Sequence, residues 1–178
     1  FSHGNLRWVW FRILVNSLFD FIVEPVGQRY NNEIKVGDKS LVINTKLETF
    51  KSVNNIAKVI SIPKAFKTPI KPGDLIMIHH NVFRRFYDMK GREKNSRAFF
   101  KDNLYFVQID QVYLYKPQEK WLSFGDRCFL APIKDFNEVD TGLEQKLIGI
   151  LKYGNSALEV LGINEGDLVG FRPFGEFD

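Results

Sequence analysis

The sequence contains few of the residues that most often carry covalent or metal chemistry. Its 178 residues include one cysteine, Cys128, and three histidines. A single cysteine excludes an internal disulfide and any zinc site built on cysteine pairs. Because disulfides are typical of oxidising compartments, their exclusion favours a reducing one, and we expect a cytoplasmic protein.

The sequence also has no long hydrophobic run. Its most apolar stretch, residues 8–23, is interrupted by Arg12, Asn16 and Asp20, and no small-residue cleavage site of a signal peptide follows it. A membrane-spanning helix needs about 20 predominantly apolar residues, and charged side chains within it are costly. We therefore predict no membrane association.

Recognisable catalytic motifs are missing as well. The serines lie in no nucleophile elbow, the carboxylates are scattered, and the glycines form no phosphate-binding loop. His79 and His80 are adjacent, and neighbouring side chains on a strand point to opposite faces, so the pair is not expected to share a metal. We expect a protein that is not an enzyme and that has no metal and no cofactor.

Aromatic residues, in contrast, are abundant. Aromatic side chains make up 15% of the sequence, with 17 phenylalanines, and hydrophobic residues make up 44%. Most apolar runs are short and end at Gly, Pro, Asn or Asp, as in residues 57–62, 104–109 and 111–115. Short runs of aromatic and β-branched residues between turn residues are typical of strands. The sequence therefore predicts an all-β fold.

Three ordered matches indicate an internal repeat. Residues 70–76 read IKPGDLI and residues 163–169 read INEGDLV. Upstream, GDKSLV (37–42) matches GDRCFL (125–130), and NIAKVI (55–60) matches QKLIGI (145–150). In the first match the glycine suits a tight turn with positive φ, and the aspartate can accept backbone hydrogen bonds before a strand begins.

The repeat divides the chain into two units. We assign residues 37–116 to the first and residues 121–178 to the second, with a polar linker around Pro117 between them. The second unit is shorter and has no counterpart of residues 90–115. Our hypothesis is that the N-terminal arm, residues 1–36, completes the second unit; the alternative is that the natural chain continues past Asp178.

The order of these elements resembles the unit of GroES-type co-chaperonins. Residues 57–62 resemble the strand after that family's mobile loop, residues 71–78 its Gly-Asp strand, and residues 103–107 and 109–113 its closing strands. The resemblance implies two tandem GroES-like small β-barrels with an N-terminal arm. It also implies a homo-oligomeric ring that docks on a chaperonin or other large assembly to assist protein folding.

A fused pair of such units looks more like a phage-encoded relative, which would place the protein in the host cytoplasm. The alternative within this fold is a structural or assembly protein of a phage or virion. The segments matching the family's docking loop are residues 46–54 and 135–143, although neither holds an aliphatic triplet. The candidate partner-binding residues are Leu47, Phe50, Val53, Phe136, Val139 and Leu143.

Residues 84–97 are the most basic segment, with six basic and two acidic side chains in a chain of formal charge +4. Cations beside aromatic rings can follow a phosphate backbone and stack on a base. A second alternative is therefore a nucleic-acid-binding β-barrel, although a solvated hairpin loop or a surface for an acidic protein also fits. The residues concerned are Arg84, Arg85, Tyr87, Lys90, Arg92, Lys94 and Arg97.

Overall fold

Antiparallel strands dominate the fold. The computed structural model describes residues 16–30, 33–36, 39–42, 52–134 and 144–172. The strands of the first part of the chain are β1 (Phe21–Pro25), β2 (Glu33–Val36), β3 (Lys39–Val42), β4 (Ile56–Ser61), β5 (Leu75–Ile78), β6 (Arg85–Tyr87) and β7 (Glu93–Asn95). They are followed by β8 (Phe99–Lys101), β9 (Leu104–Val107), β10 (Val112–Lys116), β11 (Leu122–Ser123), β12 (Phe129–Lys134), β13 (Glu144–Tyr153), helix α1 (Ser156–Val160) and β14 (Leu168–Gly170). The predicted all-β class is confirmed.

The largest sheet has seven strands in the order β11-β10-β5-β4-β1-β9-β8. Its pairs are antiparallel, and β11 and β8 lie at its two ends. A second sheet has the order β12-β13-β14, and two hairpins, β2-β3 and β6-β7, stand apart. Within the described residues these sheets are open, so the predicted closed barrels are not found there.

The N-terminal strand β1 lies inside the seven-stranded sheet, between β4 and β9. Phe21, Ile22 and Val23 are all fully buried there. Both neighbours of β1 come from residues 37–116, so this part of the N-terminal arm joins the first unit. For residues 21–25 the structure differs from the hypothesis that the arm completes the second unit, because their apolar run is buried between β4 and β9.

The hydrophobic core belongs to the first sheet. Its buried members all lie between Phe21 and Phe124, and the only described buried hydrophobic residue beyond them is Leu151. The buried Tyr105 ring makes edge-to-face contacts with Phe83 and Phe99, at centroid distances of 5.0 and 5.5 Å. Such contacts add stability beyond the burial of apolar area.

The two sheets meet at the start of β12. The Arg127 guanidinium donates hydrogen bonds to the carbonyl oxygens of Val112 (2.8 Å) and Asp110 (2.6 Å), and it lies over the Tyr113 ring. The Phe129 ring contacts Tyr113 with centroids 6.3 Å apart. These contacts fix the beginning of the second sheet to the end of the first.

Strands β1, β4 and β5 pair in the same order and register as strands β12, β13 and β14. In the first sheet Val23 opposes Val59, and in the second Leu130 opposes Leu151. In each sheet the register shifts immediately before this pair, after Ile22–Ser61 in the first sheet and after Phe129–Tyr153 in the second. Two residues further along the first strand there is a proline in both sheets, Pro25 opposite Ala57 and Pro132 opposite Gly149. On its other side the middle strand pairs Ala57 with Ile76 and Gly149 with Val169.

This correspondence corrects two of the sequence matches. Residues 125–130 lead into β12, whose counterpart is β1 and not the matched segment 37–42, of which β3 pairs with β2. The match of 55–60 with 145–150 is displaced by two residues, because Val59 corresponds to Leu151. The match of the two Gly-Asp segments agrees with the structure.

Candidate binding surfaces

A pair of identical turns starts β5 and β14. In the first turn the backbone N–H of Lys71 donates to the Asp74 carboxylate (2.8 Å), and the N–H of Asp74 donates to the carbonyl of Lys71 (3.1 Å). The N–H of Gly73 donates to the carbonyl of Val59 (2.8 Å), and the N–H of Val59 donates to the carbonyl of Asp74 (2.9 Å). The second turn makes the same four bonds. The N–H of Asn164 donates to the Asp167 carboxylate (2.7 Å), and the N–H of Asp167 donates to the carbonyl of Asn164 (3.1 Å). The N–H of Gly166 donates to the carbonyl of Leu151 (2.8 Å), and the N–H of Leu151 donates to the carbonyl of Asp167 (2.9 Å).

The strands that leave these turns have different neighbours. In the first sheet β10 pairs with the outer side of β5, and β9 pairs with the outer side of β1. One continuous segment, residues 104–116, therefore covers both sides of the β1-β4-β5 group. In the second sheet no described strand pairs with the outer side of β12 or of β14. Unpaired edges of this kind expose rows of backbone donors and acceptors.

The second sheet also exposes apolar side chains. Leu168 of β14 is 65% exposed, whereas its counterpart Leu75 is half-buried. Exposed apolar residues on the neighbouring elements are Leu147, Ile150, Val160 and Leu161. Apolar surface beside an open strand edge is typical of a site that binds another polypeptide.

The residues predicted to bind a partner through loops are placed only in part. Val53 forms a bridge with Tyr30 and is 7% exposed, so it belongs to the core and does not face a partner. The other five residues, Leu47, Phe50, Phe136, Val139 and Leu143, lie outside the described residues.

The basic segment forms the hairpin β6-β7, where Arg85 opposes Asn95 and Tyr87 opposes Glu93. Phe86 and Tyr87 are exposed, Met89 at the tip is fully exposed, and the Arg84 guanidinium lies over the Phe86 ring. Carboxylates offset part of the charge, as the following ion pairs show: Arg85–Glu93 at 3.3 Å, Arg92–Asp88 at 3.5 Å and Lys94–Asp88 at 3.9 Å. Lys90 and Arg97 are exposed.

Arg29 holds the base of this hairpin. Its guanidinium donates to the Phe83 carbonyl through two nitrogens, at 2.8 and 3.1 Å, and to the Asn95 side-chain oxygen at 2.8 Å. It also lies 5.2 Å from the centre of the Tyr105 ring. The next residue, Tyr30, accepts a hydrogen bond from the Arg85 N–H. The hairpin is thus fixed to the segment that follows β1.

The two adjacent histidines do not point to opposite faces as predicted. Strand β5 ends at Ile78 and a 3-10 turn begins at His80, so the rings stack with centroids 4.4 Å apart. Burial, the neighbouring His79 and Arg84 lower the pKa of His80, which favours its neutral form. Among the residues that the structure describes, no three His, Cys, Asp or Glu side chains are grouped to hold a metal.

No family model, curated protein or solved structure matches the chain. The described part of the chain also contains no helix with the length and apolar character needed to cross a membrane.

Sequence reasoning did not identify the outer edge of β14, which no strand of the described residues covers, as a candidate site. The signal was present, because the second unit has no counterpart of residues 90–115, but the sequence alone does not reveal which strand edges those residues cover.

Proposed function

We propose that the chain is a non-catalytic assembly protein of the co-chaperonin-like kind, built from two copies of one β unit. The observation that supports this most is the shared strand register of β1-β4-β5 and β12-β13-β14, together with the different state of their outer edges. The first group is covered on both sides, and the second has no partner strand among the described residues.

An open edge next to apolar side chains favours association through strand pairing. Main-chain hydrogen bonds supply affinity in this mode, and alternate side chains supply specificity. The resemblance to GroES-type co-chaperonins adds two expectations, a homo-oligomeric ring and docking on a chaperonin. Ring formation would require the contact to repeat around a closed symmetry axis.

The test is the molar mass of the purified protein, measured by light scattering alone and after mixing with a chaperonin and nucleotide. We expect a defined oligomer that co-migrates with the chaperonin only when nucleotide is present. A defined oligomer that ignores the chaperonin would favour a structural or assembly protein of a phage or virion. A monomer at every concentration that binds no chaperonin would overturn the proposal.

Nucleic-acid binding by the β6-β7 hairpin is a second candidate, because cations and the exposed rings of Phe86 and Tyr87 lie on one separate two-stranded element. The pairs that Asp88 and Glu93 make with nearby cations weaken this candidate. Titration with a labelled single-stranded oligonucleotide at rising salt tests it. Binding that weakens with salt and is lost in Tyr87→Ala would support it, since stacking on a base needs the ring.

A further inference from the structure

The outer edge of β14 presents backbone groups in an ordered row. The carbonyl of Asp167 accepts from the Leu151 N–H, and the N–H of Phe171 donates to the Leu147 carbonyl, both at 2.9 Å. Odd-numbered residues of this segment therefore bond to β13. Because bonding alternates along an antiparallel strand, the N–H and C=O groups of Leu168 and Gly170 point to the opposite edge.

The first sheet contains the same edge with its partner in place. The counterparts of Leu168 and Gly170 are Leu75 and Met77 of β5. There β10 runs antiparallel to β5, with Lys116 opposite Leu75 and Leu114 opposite Met77. The pattern of β10 is VYLYK, in which Val112 and Leu114 are buried and the tyrosines are half-buried. The molecule itself thus displays the kind of strand that this edge accepts.

We propose that β14 binds an extended segment of a separate partner polypeptide with the apolar and aromatic pattern of β10. The segment pairs antiparallel to β14, in the register that β10 has on β5. This inference rests on the proposed function and makes it specific, since it names the edge, the direction and the side-chain pattern of the partner. The backbone N–H and C=O groups of Leu168 and Gly170 bind the partner strand, and the exposed Leu168 side chain contributes apolar contact.

The probe is a fluorescent peptide with residues 104–116 of this chain, LYFVQIDQVYLYK, and a scrambled peptide is the control. We expect saturable binding by anisotropy to the full chain, and none for the scrambled peptide. Hydrogen exchange supplies the residue-level measurement. The amides of Leu168 and Gly170 should become protected on binding, whereas that of Phe171, already bonded to β13, should change little.

A matched pair of variants isolates the backbone donor. Gly170 has no positive φ, and a Cβ placed on it meets its nearest atom at 3.7 Å, an ordinary contact. Gly170→Ala keeps the outward N–H and should bind like the natural chain. Gly170→Pro removes that N–H while sparing the bonds to β13, and we expect binding about tenfold weaker. If Gly170→Pro does not fold, Leu168→Lys serves, because an edge lysine opposes strand addition.

Equal binding by the natural chain, Gly170→Pro and Leu168→Lys would overturn this inference, as would a natural chain that binds no peptide. These results are distinct from failure of the proposed function. A ring that co-migrates with the chaperonin and keeps its mass in Gly170→Pro would leave the function standing and place the assembly contact elsewhere. Loss of both peptide binding and co-migration with the chaperonin in Gly170→Pro, with both retained in Gly170→Ala, would support the two together.

Discussion

At the residue scale, the two Gly-Asp turns illustrate how a local motif determines a strand start. Gly73 and Gly166 have φ values of +99° and +98°, a region that L-residues with a side chain rarely adopt. Their aspartates close each turn by accepting a backbone N–H three residues earlier. The turn therefore needs both residue types, and the strand that follows inherits its direction from them.

Replacing either turn glycine with alanine should destabilise the protein. No atom crowds a Cβ at Gly73 or Gly166, so the cost is conformational, about 1–2 kcal/mol at each site from the left-handed backbone. Urea denaturation measures this cost for Gly73→Ala, and hydrogen exchange of the β12 and β14 amides measures it for Gly166→Ala, because Gly166 belongs to the second sheet. Gly170→Ala is the control, since Gly170 has no positive φ. Unchanged stability in both turn variants would contradict the role given to these glycines.

Such turns were predictable from sequence because their determinants lie within four adjacent residues. The burial of Val53 was not, because it depends on a bridge to Tyr30 across more than twenty residues. The stacking of His79 and His80 was missed for a related reason. The strand assumption placed them on opposite faces, and only the end of β5 at Ile78 changes their geometry.

At the element scale, the β6-β7 hairpin depends on a residue outside itself. Arg29, in the segment that follows β1, bonds to the Phe83 carbonyl just before the hairpin and to the side chain of Asn95, its last residue. The planar guanidinium can reach both acceptors because it carries several donors in a fixed arrangement. A lysine at this position offers only a point charge, so it cannot hold both ends in the same geometry.

Arg29→Lys should therefore loosen the hairpin even though it keeps the charge. We expect a loss of about 1.5–3 kcal/mol in the free energy of unfolding, the range for hydrogen bonds to charged groups. Hydrogen exchange in β6 and β7 should accelerate. Lys101→Ala is the control, since Lys101 lies over the exposed Phe100 ring, and a single exposed cation–ring contact contributes about 0.5–1 kcal/mol. An Arg29→Lys variant as stable as the natural chain would show that the Arg29 hydrogen bonds do not hold the hairpin.

At this scale the sequence predicted most strands but not which strands pair with each other. The existence of most strands, and the match of β5 with β14, followed from short apolar runs and turn residues. The partner of β1 did not, because its apolar run is compatible with any buried position in either sheet. The repeat misled in two respects. GDKSLV matches GDRCFL in letters while β12 corresponds structurally to β1, and the match of residues 55–60 with 145–150 is displaced by two residues.

At the scale of the whole molecule, the two sheets have unequal cores. The buried cluster lies within the first sheet and its surroundings, whereas Leu151 is the single described hydrophobic residue buried in the second. Local stability follows the amount of apolar surface buried and the number of paired strands. The second sheet should consequently open before the first when no partner strand is bound.

Val59 and Leu151 form a matched pair for testing this, because they occupy corresponding positions and each is 1% exposed. Val59→Ala should lower the stability of the whole chain, by about 2 kcal/mol from the lost methyl groups. Leu151→Ala removes more apolar volume, with an expected local cost of about 2–5 kcal/mol. Because the second sheet opens first, this larger substitution should leave the main unfolding transition nearly unchanged.

Residue-resolved hydrogen exchange distinguishes the two responses. In Leu151→Ala, amides of β12 and β14 should exchange faster while those of β1 and β4 keep their protection; in Val59→Ala, protection should fall in both sheets. Equal effects of Leu151→Ala on both sheets would mean that they unfold as one unit, and the open edge of β14 would then lie on a rigid element. If the peptide of residues 104–116 slows exchange in the second sheet of the natural chain, this local instability is connected directly to partner binding.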